Sequence, residues 1–276
     1  MKFETESLLK FTSGRLFNTG KEDIIGFETD SRAELEGKLF IGLKGERFDG
    51  NLFAASALER GAAGVMIDNA KLAEELQRRF PRKHVFLVAD TLKALGLIAK
   101  GVRLSTASEV IGVTGSAGKT TVKDSAAHIL RKKFRTVSTK QNFNNFIGVP
   151  LTLLKINPFT EKAVIELGTN HPGEIEYLSR IAIPDMSLIT NIYPTHLEFF
   201  RDIEGIWEEK SNIFKYSGTH LINLDDPFIS RNHVLFPGNK VTFSLQRKNP
   251  EADFILVSYN EDNGKTIKTT PVDAYF

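Results

Sequence analysis

The segment that most limits how this chain can fold is Val110-Ile111-Gly112-Val113-Thr114-Gly115-Ser116-Ala117-Gly118-Lys119-Thr120-Thr121. Its apolar start reads as a short buried strand. The three glycines let the backbone turn tightly and approach an anion, and Lys119-Thr120-Thr121 open a helix whose first amides face that anion. A phosphate-binding loop follows, with a nucleoside triphosphate as the expected ligand. The glycine spacing departs from the generic G-x-x-x-x-G-K-[ST] loop, because Val113 stands five positions before Gly118 and the earlier glycines fall at Gly112 and Gly115.

A phosphate loop of this kind rests on a parallel sheet, and the residues after it alternate accordingly. A short strand is predicted around Val137, then an asparagine-rich loop from Asn142 to Pro150, after which Leu151 to Leu154 lead on to a strand over Ala163-Val164-Ile165-Glu166. A helix opening at Pro172 carries Ile175, Leu178 and Ile181. Strands over 186–190 and 221–224 flank a helix from Gly205 to Phe214. The tail from Ala252 to Phe276 reads as β, with two strands around the turn Glu261-Asp262-Asn263-Gly264.

Residues 1 to about 105 hold no nucleotide motif. Leu39-Phe40-Ile41-Gly42-Leu43, Val65-Met66-Ile67 and Val85-Phe86-Leu87-Val88 read as strands. Helices are expected through Leu58, through Leu72 and Leu76 up to Pro81, and from an Asp90 cap through Val102. The small polar run Ser105-Thr106-Ala107-Ser108 marks a boundary between a first α/β domain over 1–105 and a phosphate-loop domain over 106–276.

Composition closes off several classes. The 276 residues are enough for two domains, and 41% hydrophobic with 25% charged content is that of a globular chain. Thirty-six basic against 34 acidic residues give a net charge of +2, so no nucleic-acid partner is indicated by the overall field. The absence of cysteine excludes disulfides, thiolate metal sites and cysteine nucleophiles. With neither a signal-peptide core nor a bilayer-length apolar run, no membrane insertion and a cytoplasmic location are expected.

A triphosphate site needs magnesium, which takes hard oxygen ligands. Thr120 supplies a hydroxyl from the loop. The second ligand should be an acid at the C-terminal end of a neighbouring strand, where open α/β sheets place their ligand crevice. Glu166 meets that demand, whereas Asp185 precedes its strand and belongs to the opposite edge. His171 and His196 also follow strand ends on the phosphate side. His84, His128, His220 and His233 have no such context.

Four motifs in order and spacing resemble the ATP-dependent Mur ligases. They are Gly112-x-Thr114-Gly115-x-x-Gly118-Lys119-Thr120-Thr121, Asn142-Phe143-Asn144-Asn145-x-Ile147-Gly148-Val149-Pro150, the run Glu166-Leu167-Gly168-Thr169-Asn170-His171-x-Gly173-Glu174-Ile175, and His196-Leu197-Glu198 with Lys210 beyond it. In the first domain, Thr29-Asp30-Ser31-Arg32, Gly37-Lys38-Leu39-Phe40 and Gly45-x-x-x-Asp49-Gly50 are similar to the family's UDP-sugar-binding domain. The Glu166 run is similar to members that join D-alanyl-D-alanine to UDP-N-acetylmuramoyl-tripeptide in peptidoglycan precursor synthesis.

The resemblance implies a UDP-muramoyl-peptide-binding domain at 1–105 with Ser31, Arg32, Gly45 and Asp49 on the substrate, joined by Asn142, Asn145, Asn170 and His171. ATP would lie on Gly115, Ser116, Ala117, Gly118, Lys119, Thr120 and Thr121, with Asn223 and Asp226 near the adenine. Lys119, Glu166, His196 and Lys210 would be catalytic. Thr120, Glu166, His196 and a carbamylated Lys210 would hold two magnesium ions. The implied reaction passes the γ-phosphoryl group to a carboxylate, and the incoming amine displaces phosphate from the acyl phosphate to form an amide. Members of the family carry a third, C-terminal domain. The tail here maps inside the central one, so the sequence predicts an incomplete central domain. A non-catalytic fragment that binds UDP-sugar or nucleotide, or a related Mur-type or folylpolyglutamate-type ligase, is the alternative.

Overall fold

The computed structural model describes residues 2–45, 48–195, 197–245, 251–258 and 268–271. In chain order its first elements are α1 (Thr5–Thr12), β1 (Arg15–Asn18), β2 (Gly26–Glu28), β3 (Lys38–Ile41), α2 (Ala54–Glu59), β4 (Gly64–Ile67), α3 (Ala70–Arg79), β5 (His84–Leu87) and α4 (Thr91–Leu104). Next come β6 (Glu109–Thr114), α5 (Lys119–Leu130), β7 (Thr136–Ser138), α6 (Gly148–Leu153), β8 (Lys162–Glu166), α7 (Glu174–Ala182) and β9 (Met186–Ile189). The described chain ends with α8 (Leu197–Phe200), α9 (Ile203–Ser211), β10 (Thr219–Asn223), α10 (Pro227–Asn232), β11 (Asn239–Ser244), β12 (Phe254–Ser258) and β13 (Lys268–Pro271).

The chain divides into two compact units. One comprises Met1–Ala107 with Phe146–Phe159, and the other Ser108–Asn145 with Thr160–Phe276. The first unit is built on a sheet of order β1-β5-β4-β3-β2, parallel except for β1 against β5. Because strand side chains alternate, the two faces are filled by different helices. Leu39, Ile41, Met66 and Phe86 meet Leu95 and Ile98 of α4, while Phe40, Val65, Ile67 and Val85 meet Ala57 and Leu58 of α2 and Leu76 of α3. Asn69 and Asp90 cap α3 and α4, accepting from the amides of Leu72 (3.1 Å) and Lys93 (2.9 Å).

Helix α6 brings Leu151 and Leu154 to the first unit's core although it follows the phosphate loop in sequence. The sequence alone marks this stretch only as a lead-in to β8. Pro150 sits in the first turn of α6, where no intrahelical amide is lost.

The second unit carries a sheet of order β13-β12-β11-β10-β9-β6-β8-β7, parallel except for β12 against β13. The register pairs Val113 with Glu166 on one side of β6 and Thr114 with Ile189 on the other. The connections from β6 lead out past β8 to β7 and then return across β6 to β9, so the direction of winding reverses at the central strand. The C-terminal ends of β6, β8 and β9 therefore form the crevice where doubly wound sheets take ligands.

The second unit departs from the sequence reading at both ends of one helix and at one strand. Helix α9 starts at Ile203, earlier than Gly205, because the Asp202 carboxylate accepts from the Gly205 amide at 2.8 Å and caps it. It ends at Ser211 and tightens into a 3₁₀ turn over Asn212–Tyr216. Strand β11 has no apolar alternation strong enough to mark it, yet it pairs with β10 over five residues. The turn at Glu261–Gly264 lies outside the described residues. No described helix is long and apolar enough to cross a membrane.

Candidate nucleotide and metal site

The loop between β6 and α5 is held in shape from one side. Gly115 has φ +146°, and a Cβ there would lie 1.9 Å from Thr190 Oγ1, so no other residue fits. The Ala117 carbonyl accepts from Thr190 Oγ1 (2.6 Å) and Asn191 Nδ2 (3.1 Å), and the Ala117 amide donates to Asn191 Oδ1 (2.8 Å). Ser116 donates its amide to the Asn191 carbonyl (3.0 Å) and shares its hydroxyl with the carbonyl and amide of Tyr193, both at 2.9 Å. The segment 190–193 following β9 thus latches the loop.

At the other end, Gly118 occupies the N-cap of α5 with φ +76°, and no side chain caps the helix. The amides of Lys119, Thr120 and Thr121 remain for an anion, at the positive end of the helix dipole. Lys119 folds back so that its ammonium donates to the Gly115 carbonyl at 2.7 Å. Burial lowers its pKa, and the Glu166 carboxylate opposes that shift.

Thr120 and Glu166 meet as the sequence predicts: the hydroxyl donates to Glu166 Oε2 at 2.9 Å. Asn144 Nδ2 donates to Oε1 at 2.9 Å, and the Glu166 amide donates to Thr139 Oγ1 at 2.9 Å. Buried to 1% exposure, the carboxylate is fixed at both oxygens and at its backbone. A hydroxyl and a carboxylate as hard oxygen donors beside uncapped helix amides suit magnesium, which takes one or two protein ligands and fills its shell from phosphate and water. Among the described residues no group of three or more histidines and acids gathers around a point. Asp185 lies at the opposite sheet edge, where its carboxylate accepts from the Val110 amide at 2.6 Å.

Lys210 emerges from α9 with 2% exposure, and no described residue accepts a hydrogen bond from its ammonium. Burial and then the charge of Lys119 push its pKa down to about 8, against the pull of Glu209. The two cations are thus near enough to repel one another. Glu209 itself accepts from the amides of Gly173 and Ile175 (2.7 Å each) and from Thr169 Oγ1 (3.1 Å), so it caps α7 and ties α9 to the 169–175 loop.

That loop carries Asn170 and His171, both exposed at the surface. Their amides donate to Glu174 Oε2, and the His171 ring packs on Phe199 with centroids 4.4 Å apart. Asn142 and Asn145 are exposed on the loop whose Asn144 reaches Glu166. Asn223 donates to the Thr190 carbonyl at 3.0 Å, and Asp226 caps α10 while accepting from the Ile192 amide at 2.8 Å. Both therefore brace the latch segment. His196 lies outside the described residues.

In the first unit, Arg32 forms a two-pronged pair with Asp30, both bonds at 2.9 Å, on the surface. This holds the Asp30 carboxyl down at about 2, chiefly through the side-chain hydrogen bonds of Arg32. The Ser31 and Arg32 carbonyls accept from Arg60. Gly45 donates to the Phe48 carbonyl at 2.9 Å, and Asp49 accepts from Asn51.

Sequence reasoning passed over Asn144, Thr139, Asn191 and Glu209. Asn144 was visible within the asparagine-rich loop, but nothing in the sequence separates it from Asn142 and Asn145. Thr139 and Asn191 act through hydrogen bonds to segments far along the chain, and Glu209 reads as an ordinary helix acid.

A doubly wound α/β protein with a glycine-rich loop, a Thr–Glu pair beside an uncapped helix and a buried lysine is the class that fold and site define. Residues 113–274 match the Mur ligase middle domain, and residues 23–109 match the Mur ligase family, catalytic domain. The chain belongs to the Mur ligase family.

Among its relatives, the UDP-N-acetylmuramoyl-tripeptide–D-alanyl-D-alanine ligase of Bacillus subtilis is 40% identical over 83% of this chain and 50% of its own length. The Escherichia coli enzyme of that name is 39% identical over 72% of this chain and 43% of its own. A crystal structure of MurF from Acinetobacter baumannii superposes with a TM-score of 0.82 at 30% identity, covering 94% of this chain and 56% of that one. MurF of Thermotoga maritima in complex with ADP gives 0.74 at 31% identity, covering 86% and 54%. The chain spans about half the length of the curated relatives it matches.

Proposed function

We propose that this chain carries the ATP site and the UDP-muramoyl-peptide site of an ATP-dependent ligase that adds D-alanyl-D-alanine to UDP-N-acetylmuramoyl-tripeptide in peptidoglycan precursor synthesis. The observation that carries the reading is the Thr120–Glu166 pair at 2.9 Å beside Lys119 and the free amides of α5. The names of the relatives supply the substrates. Ser31, Arg32, Gly45 and Asp49 are proposed for the UDP-sugar, and Asn142, Asn145, Asn170 and His171 for the peptide end.

In this reading the α5 amides and Lys119 hold the β- and γ-phosphates, and the latch keeps the loop from reorganising as charge moves between phosphoryl oxygens. Thr120 and Glu166 would hold one magnesium ion, with His196 and Lys210 at a second. Bound magnesium would neutralise charge developing on the phosphoryl group as it passes to the carboxylate. Lys210 enters as a cation and would repel such an ion. A pKa near 8 leaves part of its population as the free amine, which can add to carbon dioxide and release a proton to give a carbamate anion. That product reverses the side chain's charge and removes the clash with Lys119.

The test supplies ATP, magnesium, UDP-muramoyl-tripeptide and D-alanyl-D-alanine and follows phosphate and product. Turnover lost in Glu166→Gln supports the ligase. A second reading, nucleotide and UDP-sugar binding without turnover, uses the same α5 amides and Thr120–Glu166 pair. It predicts saturable binding of both ligands with no phosphate release. Absence of magnesium-dependent nucleotide binding would overturn both.

A further inference from the structure

Lys123 lies one turn beyond Thr120 on α5 with 1% exposure, among the largest fully buried side chains of the described chain. An ammonium is costly to bury, so its contacts must account for its presence. It donates to the Thr139 carbonyl at 2.9 Å and pairs at 2.5 Å with Asp124, whose own carboxylate is 62% exposed. The charge is directed into the chain just beyond the end of β7.

Thr139 is itself 1% exposed and bonded on every polar group. Its amide donates to the Val164 carbonyl at 3.1 Å, its hydroxyl accepts from the Glu166 amide at 2.9 Å, and its carbonyl takes the Lys123 bond. A continuous path therefore runs from α5 through Lys123 and Thr139 to the backbone of Glu166. A second path joins the same two elements directly, from Thr120 Oγ1 to Glu166 Oε2. The two close a ring that fixes the separation of α5 from the end of β8.

We propose that Lys123 is a positioning residue that sets the Thr120–Glu166 spacing for magnesium through Thr139. This rests on the nucleotide and metal reading above. Without the Lys123 bond, Thr139 keeps its bonds to Val164 and to the Glu166 amide but loses its tie to α5, and the carboxylate gains freedom relative to the hydroxyl. The anion-binding amides of α5 do not depend on that path. The expected signature is thus a selective loss of magnesium dependence rather than a general loss of nucleotide affinity.

The experiment measures ADP binding to the whole chain by calorimetry, with magnesium and with EDTA, for wild type, Lys123→Met, Lys123→Arg and Thr139→Val. Wild type should bind more tightly with magnesium, and Lys123→Met should cut that enhancement by about tenfold while leaving EDTA affinity within about twofold. Thr139→Val should match it, and Lys123→Arg should recover at least part of the enhancement. In a Glu166→Gln background, Lys123→Met should change nothing further, because the path would have no carboxylate to place.

Equal losses with magnesium and with EDTA would reduce Lys123 to a structural role and overturn the proposal, as would full enhancement in Lys123→Met. Failure of wild type to show any enhancement would instead overturn the metal reading beneath it. If Lys123→Met does not fold, the comparison of Thr139→Val with Thr139→Ser, which keeps the hydroxyl, decides the matter.

Discussion

The phosphate loop of the second unit and the substrate candidates of the first are organised on opposite principles. Around the loop, main-chain and side-chain groups of Ser116 and Ala117 are satisfied by Thr190, Asn191 and Tyr193, with Asn223 and Asp226 bracing that segment from behind. Around Ser31 and Arg32, the charged side chains face solvent: Arg32 pairs with Asp30 two positions away, and Arg60 donates to the Ser31 and Arg32 carbonyls. A site for a highly charged, reacting group gains from dipoles fixed in advance, since any reorganisation adds to the barrier. A site that only grips a substrate can be assembled from exposed side chains. The difference predicts that mutations in the second unit move stability and affinity together, whereas those in the first move affinity alone.

Gly115→Ala should break the contrast hardest. The new methyl would sit 1.9 Å from Thr190 Oγ1 at a φ of +146°, so either the loop or the latch must yield. A cost of about 3 kcal/mol in stability and a loss of nucleotide binding of roughly a hundredfold are expected, read by thermal unfolding and ADP titration. Unchanged ADP affinity would mean that the latch does not shape the loop.

Lys210 gives the next largest effect and a defined pH signature. Its folded pKa of about 8 lies below the ordinary 10.5, so between those values the unfolded chain binds more protons. Stability from this group therefore rises with pH from about 8 to about 10.5 and is flat outside that window, by about 3 kcal/mol in all. Lys210→Met should be the more stable protein at neutral pH and should lose that rise. Addition of bicarbonate should stabilise wild type and leave Lys210→Met unchanged if a carbamate forms.

Asp226→Ala tests the bracing. It removes the cap of α10 and leaves the buried Ile192 amide without its partner, a cost of about 2 kcal/mol. Because Ile192 lies within the latch segment, ADP affinity should fall several-fold as well. A loss of stability with affinity intact would place Asp226 outside the nucleotide site's support.

The sequence made the loop, Glu166 and the parallel order of the second sheet legible because each rests on local chemistry: glycine conformations, a strand end, a run of apolar residues. Thr120 and Glu166 could be paired because two strand ends of one sheet must lie side by side. The latch could not be read, since Asn191 and Thr190 act across more than 70 positions and look like ordinary loop residues. Nor could α6, whose Leu151 and Leu154 serve the core of the first unit after the chain has already entered the second. Asn144 was hidden by its neighbours, three asparagines of which only the fold directs one inward.

Arg32→Ala should show the smallest effect on the fold and sharpen the comparison from the other side. The Asp30 pair contributes only above the carboxylate's ordinary pKa of 3.8, and that contribution fades as pH falls toward about 2. Arg32 is 87% exposed in its side chain and Asp30 is 47% exposed, so water screens most of the pair and the thermal midpoint at neutral pH should not move measurably. If Ser31 and Arg32 grip the UDP-sugar as proposed, affinity for the UDP-muramoyl-peptide should fall by about tenfold while ADP affinity stays at the wild-type value. A drop in ADP affinity would instead mean that the first unit's surface takes part in nucleotide binding, and the division of labour between the two units would have to be redrawn.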